Sequence, residues 1–394
     1  MVFRKLARSL GLVAWLPLAL GACGGASFDD PAKIKGLRVI AVQKSAPYPK
    51  PGELVNLKLV FWDGKSTEDN PRNIFVFLSP VPCENPPADL YFNCFADLRD
   101  GGGETPDSGA PDAEVPDGGA PAMAFPRGAG GSWPEALGFV PIPNGAHTPF
   151  RSMSPPEFVR ARPLEQAPGL QDTNHVREGT VRIGTEIIKQ RAPGIPPYGL
   201  AYVLFMACAG IPKPVANPAP NKLPFGCFDA DDRELGADDF VIGYTSMYVF
   251  DNRVNNNPVI DDFTFDAASL VGSTTDETLV PHIPSCKESD RTKCPKHTLR
   301  PAVNRSQTVE KDDDPTAVTP EGQRLEEQAW VNYYITAGDL KSSVRLVNDA
   351  TRGWNEKHEG EYTAPAEPGP VRVFAVVHDN RGGVAWVEGK IIVD

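Results

Sequence analysis

The sequence predicts an all-β protein made of two β-sandwiches in tandem. Apolar residues recur at every second position in segments such as 55–61, which is the period of a half-buried strand. The chain also holds 41 prolines and 36 glycines in 394 residues, and these residues favour turns and sheet edges over helices. The best helix candidate, at residues 321–329, is too short to change this prediction.

The first sandwich is predicted over residues 37–252. Its best-defined strand is the apolar run 199–208, which follows two prolines and precedes Gly210. This run is too short to cross a bilayer, so we expect it to be a buried core strand. The other predicted strands of this sandwich cover residues 37–42, 55–61, 73–79, 181–188 and 240–250.

A low-complexity insertion interrupts this sandwich at residues 101–131. Prolines recur at every fifth position from Pro106 to Pro126, and the segment is rich in glycine and aspartate. Such a composition buries too little apolar surface to fold and predicts a disordered or extended segment. The segment is either a spacer or binding tail, or an insertion in a surface loop. Lengthening a surface loop adds little to the entropic cost of closing it.

The second sandwich is predicted over residues 258–394, after an asparagine-rich linker that ends at Pro258. The aromatic and β-branched segment 330–335 is typical of a strand. Two alternating segments near the end flank a turn with two glycines, which predicts a β-hairpin. The predicted strands of this sandwich cover residues 259–265, 303–310, 330–335, 371–377 and 384–393.

The last part of the chain carries two turn motifs in a recognisable order. Tyr362 opens the segment Tyr-Thr-Ala-Pro, and Asp379 opens the turn Asp-Asn-Arg-Gly-Gly between two strands. This order resembles bacterial Ig-like and PKD-like modules, and the resemblance implies that both sandwiches are Ig-like. The whole layout is similar to lipoproteins of myxobacteria, a family that implies no particular activity.

The first residues have the order of a secretory signal. Arg4, Lys5 and Arg8 precede an apolar run at 10–20 that ends in small residues. This run is shorter than the ~20 residues that a membrane helix needs. A cleaved signal peptide is therefore expected at residues 1–22.

The signal ends in four residues that resemble the bacterial lipobox, Leu20-Gly21-Ala22-Cys23. The resemblance implies cleavage before Cys23 and acylation of that residue, with palmitate among the expected chains. Two or more chains hold a protein stably at a membrane. Residues 23–36 would then be a tether in the cell envelope. An aspartate at position 24 would favour the inner membrane, so Gly24 favours the outer membrane. The alternative is an ordinary signal in which Cys23 is incidental.

Six further cysteines fall into neighbouring couples: Cys83 with Cys94, Cys208 with Cys227, and Cys286 with Cys294. An exported chain meets oxidising conditions, so local disulfides are expected, and each adds about 2–4 kcal/mol of stability. Six cysteines allow other connectivities as well. A zinc site is the alternative to disulfide bonding of these cysteines, although no couple has CxxC spacing.

The chain is acidic, with a formal net charge of −12 at pH 7. This sign disfavours nucleic acid and anionic membrane surfaces as partners. No cofactor is expected beyond the lipid on Cys23, with Ca²⁺ as a weaker option because carboxylate oxygens are its ligands. A solvated acidic loop is the favoured explanation for the calcium candidates, which are Asp229, Asp231, Asp232, Asp238 and Asp239.

No catalytic motif appears in the sequence. The six histidines form no HExxH pattern, and there is no GxSxG elbow. We therefore expect a lipid-anchored binding or structural protein of the envelope, whose partners are envelope proteins or glycans, and no catalysis. The alternatives are an envelope hydrolase whose site is not visible in sequence and a glycan- or peptidoglycan-binding module that uses exposed aromatic residues.

Aromatic residues of the second sandwich are the candidates for glycan stacking. Core packing is the other explanation for them, because large aromatic side chains dominate protein cores. These residues are Trp330, Tyr333, Tyr334, Trp354 and Trp386.

Lipidation of Cys23 is directly testable by mass spectrometry of the mature N-terminus. Protein extracted from membranes should begin at Cys23 and carry the mass of attached acyl chains, because the lipobox directs both steps. A Cys23→Ser variant should lack that mass and leave the membrane fraction. An intact signal or an unmodified N-terminus in the parent protein would remove the anchor.

Overall fold

The computed structural model describes residues 30–67, 71–95, 175–215, 225–311 and 317–394. The predicted signal peptide, Cys23 and the predicted insertion at 101–131 lie outside the described residues. The described chain consists of β-strands with a few short helical turns, so the predicted all-β class is confirmed. It forms two β-sandwiches that pack against each other.

The first sandwich consists of β1 (Leu37–Lys44), β2 (Leu54–Asp63), β3 (Phe75–Leu78), β4 (Cys83–Glu84), β5 (Val176–Arg182), β6 (Gly199–Cys208), β7 (Ile211–Pro214), β8 (Phe225–Phe228) and β9 (Phe240–Val249). One sheet has the order β1-β2-β5. In the facing sheet, β6 pairs with β9 on one side and with β3 and β4 on the other. This arrangement corresponds to strands A-B-E against C-F-G of an Ig-like sandwich.

The alternation of β2 explains the core of the first sandwich. Val55 and Leu57 of β2 are fully buried against Val203 of β6 and Met247 of β9. Strand β6 of the facing sheet is buried on both of its faces along almost its whole length, as its continuous apolar sequence predicts. Gly243 of β9 is required here, because a Cβ atom would lie 2.5 Å from the ring of Phe205.

The second sandwich consists of β10 (Ile260–Phe265), β11 (Ala268–Ser269), β12 (His282–Ile283), β13 (His297–Val303), β14 (Ala329–Ile335), β15 (Asp339–Lys341), β16 (Val344–Asp349), β17 (Gly353–Trp354), β18 (Gly360–Thr363), β19 (Gly369–Asp379) and β20 (Val384–Val393). Its sheets have the orders β11-β10-β13-β18-β15 and β12-β20-β19-β14-β16-β17. The central strands therefore correspond to A-B-E and G-F-C-C′. Phe263, Leu299, Val331 and Val373 fill the core between them and are fully buried.

A third apolar core joins the two sandwiches. The outer face of the β1-β2-β5 sheet packs against β19 and β20, so Ile40 and Val60 meet Phe374 and Trp386. A register shift between Val39 and Ala41 inserts one extra residue in β1. Such a bulge lets neighbouring residues share one face, and Ile40 and Ala41 both belong to the third core.

The segment before β1 is part of the fold rather than a free tether. Ile335 donates its backbone N–H to the carbonyl of Ala32 at 2.9 Å, and Ile34 donates to the carbonyl of Ile335 at 2.8 Å. Ala32 and Ile34 are only 1% and 2% exposed. The predicted tether at 23–36 is therefore wrong for residues 32–34, because these two apolar side chains bury against the second sandwich.

The asparagine-rich linker is likewise an ordered junction. Asn257 donates from Nδ2 to the carbonyl of Lys44 at 2.6 Å and accepts at Oδ1 from the backbone N–H of Val384 at 3.0 Å. Asn255 is 3% exposed and donates to the carboxylate of Asp379 at 3.2 Å. Asparagine amides both donate and accept, so they satisfy backbone and side-chain groups of both sandwiches at once.

Three local predictions need correction. The strand predicted at 303–310 is the end of β13 followed by one helical turn, α1 (Arg305–Thr308), which begins where the side chain of Asn304 accepts from the N–H of Gln307. The strand predicted at 181–188 begins and ends earlier, as β5. The segment 321–329 is no helix, because a turn with Gly322 at φ 80° occupies its start.

The helical turns of the described chain are the 3₁₀ segments Pro87–Asp89, Tyr91–Phe95, Glu277–Leu279 and Arg291–Lys293, together with α1. None of the helices in the described ranges has the length and apolar character needed to cross a membrane.

Three disulfides join the neighbouring couples that the sequence predicts: Cys83–Cys94, Cys208–Cys227 and Cys286–Cys294.

The third core predicts that the two sandwiches unfold together. Phe374→Ala should destabilise the whole chain by about 3–5 kcal/mol, because it removes a fully buried ring and leaves a cavity. Calorimetry of the parent protein should show one transition that moves to lower temperature in the variant. Val344→Ala, at a side chain that is 59% exposed, should change stability by no more than about 0.5 kcal/mol. Two separate parental transitions, with only one of them shifted, would contradict a shared core.

Candidate binding surface

Six of the nine tyrosines gather on and beside the outer face of the β6-β9 sheet. Their rings meet in two groups that adjoin at the middle of β9. We call this surface the tyrosine face; its members are Tyr48, Tyr91, Tyr198, Tyr202, Tyr244 and Tyr248.

Strand alternation places the central members of the tyrosine face. Met247 of β9 points into the core, so its neighbours on the other face are Tyr244, Ser246 and Tyr248, as the period of two requires. On β6, Tyr202 lies directly opposite Ser246. Tyr202 therefore sits diagonally between two outward tyrosines of the next strand, and its ring meets that of Tyr244 edge to face with centroids 5.3 Å apart.

The first disulfide loop brings Tyr91 onto this face. Cys83 lies in β4 and is bonded to Cys94 within the 3₁₀ segment that contains Tyr91. The ring of Tyr91 stacks on Tyr244 with centroids 4.2 Å apart and planes at 24°. The loop holds left-handed backbone at Asn85, Ala88 and Asp89, with φ of 45°, 56° and 55°, a conformation that few residues without a special role adopt.

Asp89 connects the hydroxyl groups of the face. Its carboxylate accepts from Arg191 Nη1 at 2.8 Å and from Tyr198 Oη at 3.3 Å, and its carbonyl accepts from Tyr202 Oη at 2.8 Å. The guanidinium carbon of Arg191 also lies 3.8 Å from the ring centroid of Tyr198. Burial raises the pKa of Tyr198 and of Tyr202 above the ordinary value, so both hydroxyls stay protonated at neutral pH.

The second group of rings surrounds the end of β9. Tyr248 meets Tyr198 edge to face at 5.3 Å, and Tyr48 lies 6.5 Å from Tyr248 and 4.9 Å from buried Phe250. The guanidinium carbon of Arg253 lies 5.2 Å from the Phe250 ring. This end of the face is therefore aromatic with a cationic rim.

Three members of the face are exposed to solvent, and Tyr48 and Tyr198 are half-buried. Tyr91, Tyr244 and Tyr248 are 39%, 39% and 41% exposed, whereas Tyr202 is buried beneath them. Exposed aromatic groups rimmed by polar side chains are typical of binding surfaces rather than of ordinary exterior. The arrangement offers flat ring faces and hydroxyl groups to a ligand.

The aromatic residues predicted for glycan stacking are not an exposed row. Tyr333 and Trp386 are 1% and 2% exposed. Trp330 stacks on His378 with centroids 5.4 Å apart, and Trp354 meets His358. Tyr333 donates its hydroxyl to the carbonyl of His358 at 2.7 Å. Core packing accounts for Tyr333 and Trp386. Trp330, Tyr334 and Trp354 are half-buried, and glycan stacking by these three stays a prediction.

The acidic residues predicted as calcium ligands are paired with basic side chains. Asp229 and Asp231 bind Arg233, and Asp232 binds Lys213. Asp239 accepts from Arg72 at 2.7 Å and from Lys65 at 3.0 Å, and Lys65 lies 3.7 Å from Asp238. Hydrogen bonds from Arg72 and Lys65 help to lower the pKa of Asp239 against the opposing effect of burial. Among the residues that the structure describes, no three His, Cys, Asp or Glu side chains cluster in a way that could hold a metal ion.

The histidines in the described part of the chain are dispersed over the second sandwich and the edge of the first. His297 contacts Asp266 at 2.6 Å, and His282 contacts Asp394 at 3.0 Å. His358 lies between the carbonyls of Asn355 and Pro301. These contacts fix the rings within strands and turns of the second sandwich, away from the tyrosine face.

A buried group of charges lies at the junction next to the tyrosine face. Asp379 accepts at Oδ1 from the backbone N–H groups of Arg381 and Gly383, at 2.8 and 2.7 Å. The Nε of Arg381 lies 3.4 Å from Glu327, which is 2% exposed. Lys44 of β1 is 3% exposed and faces the same turn.

Burial sets the protonation of this junction. It raises the pKa of Glu327 to about 8, with a further increase from nearby Asp379, and it also raises the pKa of Asp379. It lowers the pKa of Lys44 to about 8 and that of His378 to about 4. The charged forms are all disfavoured because the site is removed from water.

Comparisons with known proteins leave the family open. No protein-family model matches the sequence, and no curated protein matches it. A solved structure, the D00-D0 domain of Intimin, aligns with 58% of this chain and 76% of its own length, with 11% identity and a TM-score of 0.20. The assignment of the fold rests on the strand order described above.

The junction predicts that stability falls as the pH rises from about 6.5 to 8. In this window folded Glu327, with its pKa of about 8, retains a proton that an unfolded glutamic acid, with a pKa of 4.5, has lost. The folded state then binds more protons, so the free energy of unfolding decreases with pH. His378 and Lys44 oppose this trend at the two ends of the window, because the unfolded state binds more protons than the folded state at His378 near pH 6.5 and at Lys44 near pH 8. Glu327 dominates around pH 7.

Chemical denaturation of Glu327→Gln at several pH values checks this expectation. The variant should lose the fall in stability between pH 6.5 and 8, because an amide does not titrate and only the opposing contributions of His378 and Lys44 remain. Glu178→Gln, at a side chain that is 71% exposed, should keep the parental slope. Equal slopes in all three proteins would show that Glu327 is not buried as described.

Proposed function

We propose that this chain is a lipid-anchored binding protein of the bacterial cell envelope and that the tyrosine face binds a glycan chain. The observation that carries the proposal is the concentration of six tyrosines on one surface. Three of them present their rings to solvent at 39–41% exposure. The proposal includes no catalytic step.

The chemistry of the face suits sugar rings. A pyranose ring has flat apolar patches of C–H groups and a rim of hydroxyls, so it needs ring faces and hydrogen-bonding groups together. Tyrosine supplies both in one side chain. Tyr244 and Tyr248 offer such rings on the open side of β9, and the polar groups around Asp89 lie beside them.

Electrostatics favours a neutral ligand. The protein carries a formal net charge of −12, which repels polyanions at a distance. Arg191, the cation beside Tyr198, is paired with Asp89 at 2.8 Å. Its charge is therefore compensated within the face, and we propose that a glycan fits better than nucleic acid or an anionic membrane.

The position of the face also suits an anchored protein. The chain enters the fold at residues 32–34 beside Ile335, and six residues lie between Cys23 and Asp30. Strand β1 then runs from Leu37 to Lys44, about 25 Å at 3.3 Å per residue. Tyr48 follows at the far end of β1, so this end of the tyrosine face lies at the opposite end of β1 from the point where the chain enters the fold.

Binding to glycans tests the proposal with matched tyrosine variants. The mature protein should sediment with purified peptidoglycan sacculi or bind N-acetylglucosamine oligosaccharides in titration calorimetry. The double variant Tyr244→Ala with Tyr248→Ala should bind about 5- to 150-fold more weakly, because each of the two aromatic contacts contributes ~0.5–1.5 kcal/mol. Tyr248→Phe keeps the ring and should lose less.

Val344→Ala on β16 is the control, since it shortens an exposed side chain of the other sandwich. Its affinity should equal that of the parent. Lack of binding by the parent to sacculi and oligosaccharides would contradict the glycan proposal. Binding that the double alanine variant retains in full would place the site elsewhere.

A further inference from the structure

Lys44 is a buried cation that touches the strand carrying the tyrosine face. It is the last residue of β1, and its side chain crosses to β9. Its Nζ donates to the carbonyl of Ser246 at 3.1 Å and lies 3.4 Å from Thr245 Oγ1. These contacts span 201 and 202 residues of sequence and hold the edge of β9 to β1.

The acceptor lies at the centre of the tyrosine face. Ser246 is opposite Tyr202 and between the two exposed tyrosines of β9. Among the described strands β9 pairs with β6 alone, so the contact from Lys44 secures the other edge of β9 at this point. This carbonyl belongs to the backbone segment that carries Tyr244 and Tyr248.

The same ammonium group also meets the second sandwich. A Cβ atom added to Gly382 would lie 3.3 Å from Lys44 Nζ, so the turn between β19 and β20 passes directly beside it. Asp379, which opens this turn, acts on Lys44 through its charge. The backbone carbonyl of Lys44 accepts from Asn257 of the linker.

We propose that Lys44 is a positioning residue through which the junction between the sandwiches controls the geometry of the tyrosine face. This inference rests on the proposed function of that face. The second sandwich supplies the counter-charge at Asp379, Lys44 is thereby kept as an ammonium ion, and the ammonium ion holds β9 in the arrangement that presents the rings.

Two ionisable groups of the second sandwich, Asp379 and His378, interact directly with the charge of Lys44. Asp379 in turn interacts with Glu327 and Tyr48, and the further charged groups near those two are Arg381, Glu310 and Arg253. Burial lowers the pKa of Lys44 to about 8. Burial also raises the pKa of Tyr48 to about 12, so the ammonium ion titrates well before that phenol.

Hydrogen–deuterium exchange of residues 240–249 tests the positioning role at neutral pH. Lys44→Met should raise exchange in this segment by about tenfold, the effect of losing one hydrogen bond from a charged group. Its melting temperature should stay close to that of the parent, because methionine fills the same space without a buried charge. Asp379→Asn keeps the turn acceptor but removes the counter-charge, and should raise exchange by a smaller factor.

Lys58→Met is the matched control, because Lys58 lies on neighbouring β2 and pairs with exposed Glu178. It should leave exchange in residues 240–249 unchanged. Parental exchange rates in both Lys44→Met and Asp379→Asn would overturn the proposal. Since Asp379→Asn is nearly isosteric, it decides the question even if Lys44→Met fails to fold.

Glycan affinity as a function of pH supplies the second readout. Affinity of the parent should fall between pH 7 and 9 as Lys44 loses its proton, and affinity of Lys44→Met should be weaker at pH 7 and independent of pH. A flat parental profile would overturn the coupling. If the parent binds no glycan at all, the proposed function fails, while the exchange experiment still decides whether Lys44 positions β9.

Discussion

The burial of both faces of the β1-β2-β5 sheet is the constraint on which the rest of this structure depends. Val55 and Leu57 face the interior of the first sandwich, while Ile40 and Val60 face the second. A sheet with two apolar faces must be covered on both sides, because exposed apolar area costs about 25 cal/mol per Å². The two Ig-like units are thus stacked into four layers of sheet with three cores.

This stacking explains why charged groups are buried at the junction. Once the apolar faces meet, the end of β1, the linker and the turn after β19 are brought together, and their polar groups lose contact with water. Asn255 and Asn257 supply hydrogen bonds to these groups. Lys44 and Asp379 remain as opposite charges in a region of low dielectric, where their interaction is stronger than at the surface. We therefore expect the junction to be sensitive to pH, and it lies next to the tyrosine face.

Much of the fold follows from local sequence patterns, whereas the binding surface does not. Alternation predicts β2, and a continuous apolar run predicts β6, because each pattern reflects burial of that strand alone. Residues 32–34 and the asparagine linker look polar or irregular, and their role appears only when two distant strands meet them. The tyrosines at 91, 202 and 248 are far apart along the chain, and the pairing of β6 with β9 and one disulfide bring them together. The alternation Tyr244-Ser246-Tyr248 was the one local signal of this face.

The most direct test of this account is ¹⁵N relaxation of backbone amides in both sandwiches of the mature protein. If the third core holds the sandwiches as one body, amides in β6 and in β19 will report the same rotational correlation time, that of a particle with the full mass. Different and shorter correlation times for the two sandwiches would show that they tumble independently. That result would contradict the shared core and, with it, the control of the tyrosine face by the junction.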